Sequence, residues 1–279
     1  MEALQPVTFR RPPVSEVALA IQFDSPVVDV EVLGQLVSRL KSDYPDREQQ
    51  PALPPMAEPT GLLNPPQIEV QFGTPFLLGR TWLLTEDGHH LIQIQADRLV
   101  VNWRRLNADV EYPRYTSIRD RFAQLLAITE ELVGQVSGGS LTSNFLELSY
   151  INEITVPGSQ PGESHPRVED IFRVVDWSAA DAFLGRPEDA QLQARWRIPH
   201  DRLPEGSQVG RLYFSANPGF RVIDQMPIYA VNLVARVVPA PSTSAEEAIA
   251  AADTGHEWIV RGFADLTTPA MHELWELAE

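Results

Sequence analysis

A recurring order of elements constrains this chain more than any single motif. Strand, helix, a run of short strands and a long amphipathic helix are legible in residues 1–140, and the order returns in residues 141–279. Ser15–Phe23 opens the first half with strict alternation. Val17, Leu19, Ile21 and Phe23 share one face, and Glu16, Ala18, Ala20 and Gln22 the other. That period of two is a half-buried strand. Pro26 ends it. Val32, Leu33, Leu36, Val37 and Leu40 then repeat at helical spacing. Short strands are predicted at Ile68–Phe72, Arg80–Leu84, His90–Ala96 and Leu99–Trp103, with Asp87–Gly88 as a hairpin turn. A long helix follows over Ser117–Gln135, and Gly138–Gly139 ends the half.

The second half begins with Asn144–Val156, where Leu146, Leu148, Tyr150 and Ile154 lie on one face and Asn152 sits among them. Residues 167–184 read as a short helix plus irregular chain. Gln191–Ile198, Val209–Ala216 and Ile228–Val238 are strands, with a further short one at Phe220–Ile223. Ser244 caps a helix that runs to Leu266, with Glu246 and Glu247 at its positive end. Thr268 caps a last helix with Pro269 in its first position. Residues 45–66 break the pattern. Seven prolines, from Pro45 to Pro66, remove donors and fix φ, so the stretch is predicted to be a loop.

The expected architecture is α+β: two similar halves, 1–140 and 141–279, each an antiparallel sheet covered by a long helix. Strand, helix, four strands, helix, given twice, resembles the order of the duplicated TATA-binding-protein fold and of gyrase-inhibitor-like effector-binding domains. The likeness is one of topology and carries no function.

Charge narrows the partners. Lys and Arg total 22 against 38 Asp and Glu, a net charge of −16. A surface that must replace the counterions of nucleic acid needs the opposite balance. The best basic cluster, Arg98, Arg104 and Arg105, is diluted by Asp97 and Asp109. With no cysteine, disulfides, thiolate metal sites and cysteine nucleophiles are excluded. The N-terminal MEALQPVTFRRPP has no apolar core of signal-peptide length, and no run reaches the roughly 18 apolar residues of a membrane span. A cytoplasmic protein that does not engage a membrane is expected.

Several segments resemble a sporadically distributed family of bacterial proteins: PPVSEVALAIQF, LIQIQADRLVVNWR, YPRYTSIRDRF, FLELSYINEI and HEWIVRGFADLTTPAMHELWEL. They span nearly the whole chain, so the resemblance implies a full-length match. It brings no activity, and its patchy occurrence suits accessory or defence genes.

Candidate chemistry is sparse. No nucleophile elbow, P-loop, dinucleotide fingerprint or EF-hand is present. His89–His90 reads as a solvated hairpin tip. His256–Glu257 and His272–Glu273 fail the HExxH pattern, because Val260 and Glu276 stand where a second histidine is required. His256 instead falls on an apolar stripe, as a hydrogen-bonded histidine at the core boundary would. Neither a metal nor a cofactor is expected. Tyr150 and Asn152 are polar groups on an apolar strand face, and Asn232 raises the same question later. A buried amide without a partner costs about 1–3 kcal/mol, so Asn152 must find one.

Two readings follow, with an enzyme lacking a recognisable motif as a third. One is a non-catalytic protein that binds a basic partner protein through an acidic face or through exposed Trp258 and Trp275. The other is a sensor for an apolar small molecule, held in a groove between the halves and lined by Trp103, Tyr150, Asn152 and Trp196. A closed pocket with converging polar groups favours the sensor. A flat acidic patch with exposed tryptophan favours the partner protein.

Overall fold

The computed structural model describes residues 7–58, 79–107, 109–175, 183, 187–240 and 244–278. In chain order the elements are β1 (Thr8–Phe9), β2 (Val14–Phe23), α1 (Val30–Leu40), β3 (Asp46–Gln50), β4 (Arg80–Leu84), β5 (His90–Gln95), β6 (Arg98–Arg104), α2 (Arg114–Ser137), β7 (Ser143–Ile154), α3 (Val168–Ile171), β8 (Leu192–Arg197), β9 (Val209–Phe220), β10 (Pro227–Val238), α4 (Ala245–Leu266), α5 (Pro269–Leu274) and β11 (Leu277–Ala278). The protein is mixed α+β, with a large antiparallel sheet and five helices among the described residues. No described helix is long and apolar enough to cross a membrane.

Among the described residues, nine strands form one sheet in the order β3-β4-β5-β6-β2-β7-β10-β9-β8, and every pairing is antiparallel. The central pair is β2–β7, with Val17 opposite Tyr150 and Leu19 opposite Leu148. The expected boundary near residue 140 falls between α2 and β7, and the sheet continues across it. Alternation decides what each face meets. Val17, Leu19 and Ile21 turn towards the helices, with Val101 and Leu99 of β6 and Leu146 and Leu148 of β7, and all are buried. The helices α1, α2 and α4 supply Leu36, Phe122, Leu126, Ile259 and Phe263 to the same core. Separately, β1 pairs with β11, and Phe9 packs edge-on against Phe263 and Trp275.

Local chemistry sets the helix ends. Asp29 Oδ1 accepts from the amides of Glu31 and Val32 and starts α1. Gly138, at φ +67°, ends α2 in the left-handed conformation that glycine adopts without steric cost. Ser244 and Glu247 form the reciprocal capping box that starts α4. Thr268 does stand before Pro269, but its hydroxyl donates to the Asp170 carbonyl, not to the helix it precedes.

Four expectations are corrected. Asp46–Gln50 is a strand within the expected loop. It lies at the sheet edge, where prolines on either side cost no ladder bonds. Phe220 ends β9 and does not begin a strand of its own, so three strands instead of four lie between α3 and α4 among the described residues. His89 is buried, not solvated, because its Nδ1 pairs with the Arg104 carbonyl at 3.0 Å. Trp275 is only 5 % exposed, stacked on Phe263 at 5.0 Å. The expected strand at Ile68–Phe72 lies outside the described residues.

Among the described residues, no helix packs on the opposite face of the sheet. Residues 51–58 run across it instead. Leu53 exchanges two hydrogen bonds with the Gln95 side chain, and Met56 does the same with Gln22. The Pro54 carbonyl accepts from Arg98 at 2.8 Å. Pro51, Pro54 and Pro55 bring no N–H that would need a partner there, so prolines suit a strap over a sheet face.

Candidate functional site

A cleft of about 570 Å³ opens between α2 and α4, over the central strands β2, β7 and β10. Residues from both sides of position 140 line it. Its walls are mostly apolar: Phe9, Val14, Leu233, Ile259 and Phe263 among them. Its polar groups come from three elements and form two linked sets.

The first set is a chain of hydrogen bonds. Tyr112, just before α2, bonds the Tyr150 hydroxyl at 2.8 Å, and Tyr150 bonds Nδ1 of His256 at 3.0 Å. β7 delivers Tyr150 because its odd neighbour in the alternation, Ser149, takes the strap face. The second set joins the helices across the cleft. The Tyr115 ring stacks on His256 at 3.9 Å, and its hydroxyl donates to Asp253 Oδ1 at 2.9 Å. Arg119 donates two bonds to the same carboxylate, at 2.7 and 2.9 Å. Tyr115 and Arg119 are four apart on α2, and Asp253 and His256 three apart on α4, so each pair shares a helical face.

These groups are held neutral at neutral pH, except for the Arg119–Asp253 pair. Burial pushes His256 down to about 4, against smaller opposing effects of Asp253 and Glu257. Burial also raises the Tyr150, Tyr112 and Tyr115 phenols above their ordinary value; Tyr112 adds to it at Tyr150, and Asp253 at Tyr115. A neutral imidazole carries one ring proton. If Nδ1 accepts, the Tyr150 phenol donates to it and Tyr112 donates to Tyr150. If Nδ1 donates, the order reverses and the Tyr112 proton points onward. The chain can therefore present either a donor or an acceptor at its end. It is poorly matched to general-base catalysis, which works best with a group that titrates near the working pH.

Of the residues singled out from sequence, Tyr150 and Asn152 line this cleft. Asn152 also finds its partner, a 3.4 Å bond to the Val231 carbonyl that ties β7 to β10. Trp103 is fully buried beneath it and packs on Tyr112 at 5.4 Å, as support and not as lining. Trp196 is elsewhere. It lies on β8, near the far edge of the sheet, where it shares a second groove of about 540 Å³ with Trp258, Leu212, Arg202 and Arg261. Trp258 is half-buried there. Tyr112, Tyr115, Arg119 and Asp253 were not singled out. Arg119 and Asp253 lay on expected helices, but Tyr112 and Tyr115 precede the expected start at Ser117, and α2 begins three residues earlier, at Arg114; that two helices would face each other across a cleft was not legible. Among the described residues, no three His, Asp or Glu side chains gather to hold a metal ion.

No protein-family model matches the chain, and no curated protein matches it in sequence.

Proposed function

We propose that the protein binds a small, largely apolar molecule in the cleft between α2 and α4, as a sensor or binding protein. The observation that carries this reading is the neutral chain Tyr112–Tyr150–His256 set inside an apolar cleft. A volume of about 570 Å³ lies within the range of small-molecule sites, which join apolar walls to a few placed polar groups. The ligand that fits is uncharged, with an apolar body and one hydroxyl or carbonyl for the end of the chain. The partner-protein reading draws less support. Trp275 is buried, and Trp258 is half-buried in the groove with Trp196.

Two further inferences belong with this reading. The halves are proposed to be related by duplication. On each side of β2–β7 the next strand outward is the last one before the long helix of its half, β6 before α2 and β10 before α4. The chain is also proposed to belong to the sporadic bacterial family that its segments resemble, in an accessory or defence role. Tyr112, Tyr115, Arg119, Tyr150, Asn152 and His256 all fall inside those segments.

Native mass spectrometry and the neutral dye N-phenyl-1-naphthylamine test the cleft. Gently purified protein is expected to carry a small mass that denaturation releases. The dye is expected to fluoresce on binding, at least tenfold more weakly with Val260→Trp, which fills the cleft from α4. Equal dye binding by both proteins, with no released mass, would sink the reading.

A further inference from the structure

The open face of the sheet holds a second built cavity, on the side away from the cleft. Strand alternation brings Gln193 and Arg195 of β8, Tyr213 and Ser215 of β9, and Asn232 and Arg236 of β10 around a volume of about 450 Å³. Two of these residues, Tyr213 and Arg236, also meet the carboxylate of Glu58, at the end of the strap. Arg211 and Tyr213 both donate to Glu58 Oε1. Arg236 stands 3.7 Å from Oε2, lies over the Tyr213 ring at 4.9 Å and donates to Glu147 at 2.7 Å. The Glu58 side chain is 1 % exposed.

Among the described residues, two buried acceptors here are unsatisfied, and one exposed cation is unpaired. Glu58 Oε2 is buried without a hydrogen bond, and so is Asn232 Oδ1 in the cavity wall. Arg195 has no hydrogen-bond or ion-pair partner among the described residues. Leaving a buried acceptor unpaired is unfavourable, and native structures do so rarely. A carboxylate in the cradle of Arg211, Tyr213 and Arg236 satisfies the cations. A donor placed further along the cavity, at the Ser215 level of the ladder, satisfies Asn232, and Arg195 remains for the ligand's other polar groups.

We propose that this cavity is a second ligand site, for a small carboxylic acid that also carries an N–H or O–H donor, and that Glu58 fills its carboxylate subsite from within the chain. Glu58 is then a built-in competitor. A tethered group acts at an effective concentration of the order of millimolar, so free ligand meets a masked site until the end of the strap is displaced.

Isothermal titration with N-acetyl-L-glutamate at fixed ionic strength tests this. That probe reproduces the Glu58 side chain and adds an amide N–H. Glu58→Ala is expected to bind it at least tenfold more tightly than the wild type, and Glu58→Ala with Arg236→Ala to lose that gain. Succinate, which lacks the amide donor, is expected to bind Glu58→Ala more weakly than N-acetyl-L-glutamate. Equal affinity in wild type and Glu58→Ala, or no binding to either, overturns the proposal; equal affinity for the two probes overturns the part assigned to Asn232. Circular dichroism checks that Glu58→Ala is folded. If it is not, Glu58→Gln replaces it, with the same expected direction and a smaller gain.

Discussion

A buried imidazole with a pKa near 4 makes the fold sensitive to mild acid. Between about 4 and the ordinary 6.5, the unfolded chain takes up a proton at His256 that the folded chain refuses. The stabilisation is therefore complete above pH 6.5 and is lost as pH falls towards 4. His90 acts in the same direction: burial first, then the nearby Arg121 cation, lowers it to about 4. Thermal melts are expected to show a Tm that is flat above pH 6.5 and falls below it. The slope should be shallower in His256→Gln, which keeps a hydrogen-bonding group for Tyr150 but does not titrate, and an unchanged slope would refute the assignment. At this scale the sequence was partly legible. Tyr150 and Asn152 stood out because they interrupt an apolar strand face. Asp253 and Tyr115 did not, because Asp253 looks like an ordinary helical surface residue and Tyr115 precedes the expected helix start at Ser117.

Among the elements, α4 comes close to the sheet at Gly255. A Cβ at Gly255 would lie 3.1 Å from Cβ of Ala235 and 3.8 Å from Cβ of Leu148. Helix propensity alone favours replacing this glycine by about 1 kcal/mol, while overpacking a tight contact costs about 1–3 kcal/mol. For a branched side chain the second effect wins. Gly255→Val is expected to lower the stability measured by urea unfolding by about 2 kcal/mol, and a neutral or stabilising result would show that α4 can move away from β10 without cost. Because Gly255 precedes His256, that displacement would also carry the imidazole away from Tyr150. Most elements could be read in advance, since alternation and caps are local. Ser244 announced α4 through a capping box made within one turn. β3 could not be read. Its sequence DREQQ is polar throughout, and only pairing with β4 makes it a strand. The charges Asp46, Arg47 and Glu48 suit an edge that must not recruit another chain. Trp196 shows the other limit: its strand was clear, but nothing local says that β8 lies at the far end of the sheet.

At the scale of the molecule, the sheet runs through both halves, and β2 has a partner on each side. Calorimetry is expected to give one cooperative unfolding transition. Residues 1–140 expressed alone are expected to aggregate, because removing β7 bares one whole edge of an apolar central strand. Two separable transitions, or a soluble, folded 1–140 fragment, would show the halves to be independent. The general plan of α+β layers was legible from the order of elements. The join was not, because which strands meet in the middle is decided by pairings between distant residues. That join also governs how the molecule comes into being. β2 is made before its partner strand: Tyr150, opposite Val17, follows about 130 residues later. At roughly 5–20 residues per second, the nascent chain holds an apolar strand without its β7 partner for on the order of ten seconds. During that interval the chain depends on whatever shields it in the cell, so the rate of translation, and not only the finished sequence, helps determine how much of this protein reaches its native state.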